Sequence, residues 1–312
     1  MATSKKRVLI LGGGFGGVYV ALYLGKLFTK AELEEIEITL VSRENYIVFQ
    51  PLLPEVISGS VELNHVIAPI RRMAPKAHFY TREIDKIDPV AKTVQLSPGV
   101  RPVPLILSYE HLVIGMGTQL DYSKIPGMRE HAMPFKYLGD ALYLRNQIVN
   151  ALEEAELERD PEMKKRLLTF VVAGGGFSGV ECIAEMNDFI REAVKAYHNI
   201  AQTDIQMILL QRAERILPEL TENLADFAHK LLSKRGVDIR LGAGLKAVSA
   251  SEVQVEYKSG KLETIQSRTT VATVPAGPHP ILTSLPLPQE KGRIVVGQDT
   301  EVPGWPGVWW RN

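Results

Sequence analysis

Gly12, Gly14 and Gly17 stand at the spacing G-x-G-x-x-G, and Gly174, Gly176 and Gly179 repeat it far along the chain. Each set follows a short apolar run, Val8-Leu9-Ile10-Leu11 or Phe170-Val171-Val172-Ala173, and precedes a stretch with helical spacing. A buried strand, a tight turn and a helix start form the context in which this spacing binds the pyrophosphate of a dinucleotide. The first glycine permits the turn, the second lets the backbone approach the anion, and the third lets helix and strand pack closely. Free N–H groups at the helix start then face the negative charge. Phe15, Gly16, Phe177 and Ser178 fill the variable positions of the two cradles. Two matches in register predict a chain that holds two dinucleotides, for which a flavin and a nicotinamide are the natural pair. The bland alternative is six glycines serving tight turns alone.

The elements around these turns read as two βαβ units. After the first turn, Val18 to Leu27 carries apolar residues at helical spacing, and Ile36 to Val41 alternates as a strand should. Asn45 to Gly59 reads as a Pro-containing loop whose apolar character implies that it lies against something. Short strands are expected over 79–114, ending in His111-Leu112-Val113-Ile114 before Gly115-Met116-Gly117-Thr118, and Ile125-Pro126-Gly127 marks a boundary. Residues 138–159 read as one long amphipathic helix connecting domains. The second unit follows as strand 168–173, helix 179–198 and strand 204–210. Leu220 to Arg235 reads as a further helix closed by Gly236, with short strands at Val237 to Leu241, Val253 to Tyr257 and Thr269 to Val274, and past Pro280 the chain turns through Pro286 and Pro288 to Arg293-Ile294-Val295-Val296.

The 312 residues suffice for two domains, and 45% apolar with 23% charged residues is ordinary for a soluble globular protein. With 36 basic and 36 acidic residues, no nucleic-acid partner is expected. The single cysteine, Cys182, excludes an internal disulfide framework, a CxxC redox pair and a cysteine-based zinc cluster. The seven histidines lack close metal-ligand spacing, so no metal site is expected. The stretch after Met1 to Arg7 is too short for an export signal, and no apolar run is long enough to span a membrane. A cytoplasmic protein is expected, or one held peripherally on the cytoplasmic face of a membrane.

Particular residues resemble the two-dinucleotide-binding-domain flavoproteins, and within them the type II NADH:quinone oxidoreductase family. They are Arg43-Glu44-Asn45-Tyr46 leading into Phe49-Gln50-Pro51-Leu52-Leu53-Pro54-Glu55-Val56, then Gly139 to Arg145, Gly179 to Glu185 and Ile216-Leu217-Pro218-Glu219. The resemblance spans nearly the whole chain. It implies an α/β fold of two Rossmann-like domains, the NAD(P)-binding one inserted into the FAD-binding one. The FAD domain would take residues 1–135 and return over 278–312, with a connecting helix at 136–164 and the NAD(P)H domain at 165–277. Hydride would pass from nicotinamide C4 to flavin N5, and electrons would leave to a quinone.

The resemblance also implies roles. Glu181 would position the nicotinamide or relay a proton, against the plainer reading of a carboxylate favoured by the helix dipole. Arg43 would lie near the FAD adenosine or pyrophosphate, or be a solvated arginine at a strand end. Gln50, Pro51 and Leu52 would line the flavin and the route to an acceptor, which is compatible with plain packing of the loop against the sheet. Gly117 and Thr118 would approach the flavin, and Ala276-Gly277 the nicotinamide, or each would serve a turn. Cys182 reads as a small packing residue.

Departures from the pattern also matter. The position closing the second strand usually holds an acid that binds ribose hydroxyls. Here Ser42 stands in the first unit, with Glu44 nearby, and Gln211 in the second, followed by Arg212. Lack of an acid, with Arg212 able to pair with a 2′-phosphate, keeps both NADH and NADPH open. The family continues past a strand like Gly307-Val308-Trp309 into an Ala-x-Gly-Asp segment and a membrane-docking region, whereas this sequence reads Trp310-Arg311-Asn312. A truncated chain is therefore expected, with Trp305, Trp309 and Trp310 on a strand that has lost its neighbours. The expected activity is FAD-dependent NAD(P)H oxidation with a quinone-type acceptor. Alternatives are a soluble acceptor or a non-catalytic nucleotide-binding fragment. Peripheral membrane association of a full-length form and a homodimer are further expectations.

Overall fold

The computed structural model describes residues 5–273 and 276–310. The end of the expected strand at Val274, and Arg311 with Asn312, lie outside them. The chain divides into two compact units. One gathers Met1–Val48, Ile67–Gln119 and Gly277–Asn312, and the other gathers Phe49–Val66 and Leu120–Ala276.

The first unit is built on a five-stranded sheet in the order Val308–Trp310, His111–Ile114, Lys6–Leu11, Ile36–Ser42 and His78–Thr81. All four pairings are parallel. A parallel sheet is covered on both faces, which is why its strands read as continuous apolar runs. Alternation still divides Lys6–Leu11 between two cores. Val8 and Ile10 pack with Val18 and Ala21 of the helix Phe15–Leu27. Leu9 and Leu11 face Val94, Leu96 and Leu107 of an antiparallel three-stranded sheet, together with Leu282, Leu285 and Val302.

The second unit repeats the plan. Its five parallel strands run in the order Met133–Pro134, Thr269–Ala272, Thr169–Ala173, Gln206–Gln211 and Val237–Leu241. Helix Phe177–Ala193 packs on the two strands Thr169–Ala173 and Gln206–Gln211. Val171, Ile208 and Leu210 pack on an antiparallel sheet of Ala243–Val248, Glu252–Tyr257 and Leu262–Gln266. In both units the glycine turn leaves the central strand of five, at the C-terminal edge where open parallel sheets bind ligands.

Several expected elements take a different form. The loop 45–59 contains a strand Tyr46–Val48, a 3₁₀ turn Gln50–Leu52 and a helix Leu53–Ser58 with Pro54 in its first turn. Proline there costs no hydrogen bond, so a segment that reads as a breaker starts a helix. The helix expected over 179–198 spans Phe177–Ala193 and tightens to 3₁₀ over Val194–Ala196. Strands Ala243–Val248 and Leu262–Gln266 add to the expected ones, each pairing antiparallel with Glu252–Tyr257. The terminal tryptophans do have a neighbour: Trp309 lies opposite Val113 in the parallel pairing with His111–Ile114. Helix Leu138–Leu157 buries Leu138, Ala141, Leu144, Ile148 and Leu152 within the second unit and packs on Leu53–Ser58.

Candidate functional site

The three glycines of the first turn are held to glycine by different causes. Gly12 has φ of +111°, and a Cβ there would lie 2.2 Å from the Gly115 carbonyl oxygen. At Gly17 a Cβ would lie 1.9 Å from the carbonyl oxygen of Gly12, so helix and turn touch directly. Gly14 has an ordinary extended backbone, φ −82° and ψ −171°, and a Cβ there would meet no protein atom within 4 Å. Packing and strain therefore account for Gly12 and Gly17, while Gly14 opens onto space that an approaching ligand would use. Gly14 is also the N-cap of helix Phe15–Leu27, which has no capping side chain and no acid in its first turn. The first N–H groups are left for an external anion.

The second turn reproduces this arrangement. Gly174 has φ of +121°, and a Cβ on Gly179 would lie 1.8 Å from the carbonyl oxygen of Gly174. Gly176, at φ −78° and ψ −175°, caps helix Phe177–Ala193 without a side-chain bond, and a Cβ on it would meet nothing within 4 Å. Gly16 is equally open, and Phe15, Phe177 and Ser178 are exposed at the two helix starts. The cradles present similar chemistry to a pyrophosphate.

The residues closing the second strands support the turns from below. A Cβ on Gly13 would lie 2.2 Å from Ser42 Oγ, and one on Gly175 would lie 2.9 Å from Gln211 Cβ. Gln211 is buried, and its amide is bound to backbone at both ends. The Gly175 N–H donates to Oε1 at 3.2 Å, and Nε2 donates to the Arg215 carbonyl at 3.0 Å. The Leu217 N–H donates to the Gly175 carbonyl at 2.7 Å, from a left-handed backbone at φ +47°. Arg212 is exposed, its stem beside Gly244, and its guanidinium makes no ion pair among the described residues.

Glu181 lies in the second turn of helix Phe177–Ala193, because that helix begins two residues earlier than its sequence suggests. The helix dipole fades beyond the first turn, so it explains Glu181 less well than expected. Its carboxyl is held above the usual carboxylate range, first by desolvation and then by the negative charge of Glu55. Glu55 sits in the first turn of Leu53–Ser58, which packs on the Glu181 helix. One carboxylate oxygen of Glu55, Oε2, is buried without a hydrogen-bond partner. The far end of Leu53–Ser58 is fixed by Arg145, which donates to the Ile57 carbonyl at 3.0 Å and lies 5.0 Å from the Phe189 ring. Glu55 stands within the Phe49-to-Val56 motif, where the sequence alone announces no role for it. Its position behind Pro54, in an apolar segment, was the available signal.

The other candidates are distributed between the units. Arg43 donates to Glu44 at 3.2 Å and lies 3.9 Å from Glu83. Gly117, with φ of +66°, and Thr118 follow the strand His111–Ile114, one and two residues beyond Met116, whose Cα a Cβ on Gly12 would approach to 3.1 Å. These positions place Arg43, Gly117 and Thr118 on the segments leaving the sheet edge of the first unit. Gln50 and Pro51 belong to the second unit, where Gln50 Nε2 donates to the Lys136 carbonyl at 3.4 Å. Gly277 lies in the short strand Ala276–Pro278. Cys182 is fully buried beside Met186, and burial pushes its thiol far above the usual range.

Comparison with known proteins agrees with this geometry. The family model described as pyridine nucleotide-disulphide oxidoreductase matches residues 6–310. The mitochondrial external alternative NAD(P)H-ubiquinone oxidoreductase B2 of Arabidopsis thaliana is 32% identical over 291 residues, covering 90% of this chain and 48% of that protein. The external alternative NADH-ubiquinone oxidoreductase of Yarrowia lipolytica is 28% identical over 324 residues, covering 98% of this chain and 54% of its own length. The chain thus spans about half the length of the curated relatives it matches. Among solved structures, NDH2 from Plasmodium falciparum in complex with NADH has the same fold, with a TM-score of 0.89 and 23% identity, over 98% of this chain and 64% of that one. With the two matched cradles, the match over residues 6–310 shows that the chain belongs to the pyridine nucleotide-disulphide oxidoreductase family.

Proposed function

We propose that the chain is an FAD-dependent NAD(P)H oxidoreductase that passes electrons to a quinone-type acceptor. The observation that carries this reading is the pair of turns in which Gly14 and Gly176 are glycine without any steric need from the protein itself. The first turn would hold FAD and the second NADH or NADPH, with residues 1–135 and 278–312 serving the flavin and 165–277 the nicotinamide. When bound, the two cofactors supply hydride transfer from nicotinamide to flavin and electron release to the acceptor.

The chain's own residues bind, orient and hold protons. Uncapped N–H groups after Gly14 and Gly176 bind the pyrophosphates. Ser42 and Gln211 set the height of each turn, and the amide of Gln211 is already committed to backbone. Selection at the ribose of the nicotinamide dinucleotide thus rests on Arg212, which favours NADPH over NADH. Arg43, Gly117 and Thr118 belong to the flavin side of the proposal, and Gly277 to the nicotinamide side. Gln50 and Pro51 shape the approach of the acceptor, while Glu181 positions the nicotinamide or relays a proton.

The quinone acceptor is supported by the names of the relatives, which are ubiquinone oxidoreductases. Among the described residues no helix is long and apolar enough to cross a membrane. Peripheral attachment on a cytoplasmic membrane face and a homodimer are parts of the same proposal. The test is the visible spectrum of the purified chain incubated with FAD, before and after anaerobic addition of NADH or NADPH. A flavin band that bleaches, and recovers on addition of a short-chain quinone, is expected. Absence of a bound flavin band would overturn the reading.

A further inference from the structure

We propose that Arg145 is a positioning residue for the electron acceptor, holding the turn Gln50–Leu52 in place through the short helix Leu53–Ser58 that follows it. The inference rests on the oxidoreductase reading above for the acceptor, and on geometry for the clamp. All the groups involved lie in the second unit.

A helix of six residues has no stability of its own, so the position of Leu53–Ser58 is set by what it touches. Leu53, Pro54, Val56 and Ile57 are buried, and the helix packs on both Leu138–Leu157 and Phe177–Ala193. Apolar burial is non-directional and does not by itself fix how such a helix is set along its neighbours. Hydrogen bonds do, because their geometry is narrow. The carbonyls of the last turn lack partners within the helix and must find them elsewhere. The Glu55 carbonyl accepts from Ser58 Oγ at 3.1 Å and from the Val61 N–H at 3.3 Å. The Ile57 carbonyl accepts from Arg145 Nη1 at 3.0 Å, a charge-assisted bond at the negative end of the helix.

Arg145 thereby joins three helices at one point. Its backbone belongs to Leu138–Leu157, its Nη1 holds Ile57, and its guanidinium carbon lies 5.0 Å from the centre of the Phe189 ring on Phe177–Ala193. The chain leaves the short helix through Gly59 in left-handed backbone at φ +78°, and a Cβ there would lie 2.6 Å from Arg145 Nη1. Glycine at this position therefore makes both the turn and the room for the guanidinium. At its other end the short helix continues straight into Gln50–Leu52, since Leu52 is its N-cap. Gln50 Nε2 donates to the Lys136 carbonyl at 3.4 Å, a longer bond than the one at Ile57. A shift of the helix would carry Gln50, Pro51 and Leu52 with it. Under the proposed function these residues shape the approach of the acceptor and take no part in the glycine cradles. Loss of the clamp should weaken acceptor binding and spare the dinucleotides.

The experiment compares Arg145→Ala and Arg145→Lys with the unmodified chain. The first readout, hydrogen exchange followed by mass spectrometry, needs no turnover. In Arg145→Ala the amides of residues 50–61 should exchange about tenfold faster or more, while strand Thr169–Ala173 keeps its rate. Unchanged exchange over 50–61 would overturn the clamp. The second readout is kinetic, with NAD(P)H and a short-chain quinone. In Arg145→Ala, KM for the quinone should rise about tenfold, the worth of one charge-assisted hydrogen bond. The rate of flavin reduction by NAD(P)H in the absence of quinone should change by less than about twofold. Arg145→Lys keeps the charge but loses the planar fork, and its KM for the quinone should fall between the other two. An unmoved KM for the quinone, or an equal loss in flavin reduction, would overturn the positioning role. If Arg145→Ala fails to fold, Gly59→Ala, whose methyl group displaces the same guanidinium, is read in the same two ways. If the unmodified chain reduces no quinone, the oxidoreductase reading fails together with the acceptor role, while exchange over 50–61 still decides the clamp.

Discussion

The Gly175 N–H donates to Oε1 of Gln211 at 3.2 Å, which ties the end of one parallel strand to the turn that follows its neighbour. The bond turns Gln211 inward as a support, so the side chain that might have read a ribose is already occupied at both ends of its amide. Under the proposed function, recognition of the dinucleotide at that edge would fall to the next residue, Arg212, which is exposed.

Arg212→Ala should therefore raise KM for NADPH by about tenfold or more, because a charge-assisted phosphate contact is worth roughly 1.5–3 kcal/mol. KM for NADH should change little. Steady-state kinetics with both donors checks this, and equal loss for the two would remove Arg212 from any role in selection.

The open and closed glycines separate folding from binding. Gly14→Ala adds a methyl group where no protein atom lies within 4 Å, and should cost about 1 kcal/mol or less, the usual loss at a helix N-cap. It should nonetheless weaken FAD retention. Gly17→Ala puts a methyl group 1.9 Å from a backbone oxygen and should cost about 3 kcal/mol. Thermal melts paired with flavin content would test this, and a Gly14→Ala chain that keeps its flavin would count against the cradle.

Across the first two strands, Arg7 and Glu37 are register partners, and Nε lies 2.7 Å from the carboxylate. Partial burial pushes the Glu37 carboxyl up, but bonds from Arg7 and Thr39 outweigh it and hold its pKa below 4.5. A lowered carboxylate pKa stabilises the fold above the unfolded value and loses that contribution as pH falls through the folded value. Glu37→Gln should thus cost about 1 kcal/mol at pH 7. The difference from the unmodified chain should vanish in strong acid. Denaturant titrations at several pH values provide the check.

Glu181→Gln should leave the fold intact and slow either flavin reduction or reoxidation in stopped-flow half-reactions. Because burial and Glu55 raise the Glu181 pKa, its ionisation weakens the fold as pH rises through the folded value. The glutamine variant should escape that loss. Unchanged rates in both half-reactions would leave Glu181 without a catalytic part.

Cys182 should prove inert. Its thiol is fully buried with its ionisation suppressed, so a thiol reagent should react only after unfolding. Cys182→Ser should retain the redox cycle, and loss of flavin reduction in a folded variant would contradict a packing role.

Much of this was legible in the residues themselves. The glycine spacings fixed both turns, and the apolar runs before them located the central strands, because burial on two faces leaves a continuous signature. The antiparallel strands Ala243–Val248 and Leu262–Gln266 were harder to see. Gly244, Lys246, Glu263 and Gln266 break their apolar alternation, and their pairing with Glu252–Tyr257 is a nonlocal fact. Helix Leu53–Ser58 was hidden by two prolines that a local reading takes as breakers. Glu55 and Glu181 are far apart in sequence, and nothing in either neighbourhood announces that their helices pack.

The first unit takes its sheet from three separate stretches of chain, whereas most of the second comes from the single stretch Leu120–Ala276. On a ribosome, the edge strand Val308–Trp310 emerges long after Lys6–Leu11, and after every strand of the second unit's parallel sheet. Domains fold as units during synthesis, and long-range strand pairing is slow. The nascent chain should therefore finish its second sheet while the first still exposes the open edge of His111–Ile114. That edge is the surface a chaperone would need to shield until Val308–Trp310 arrives.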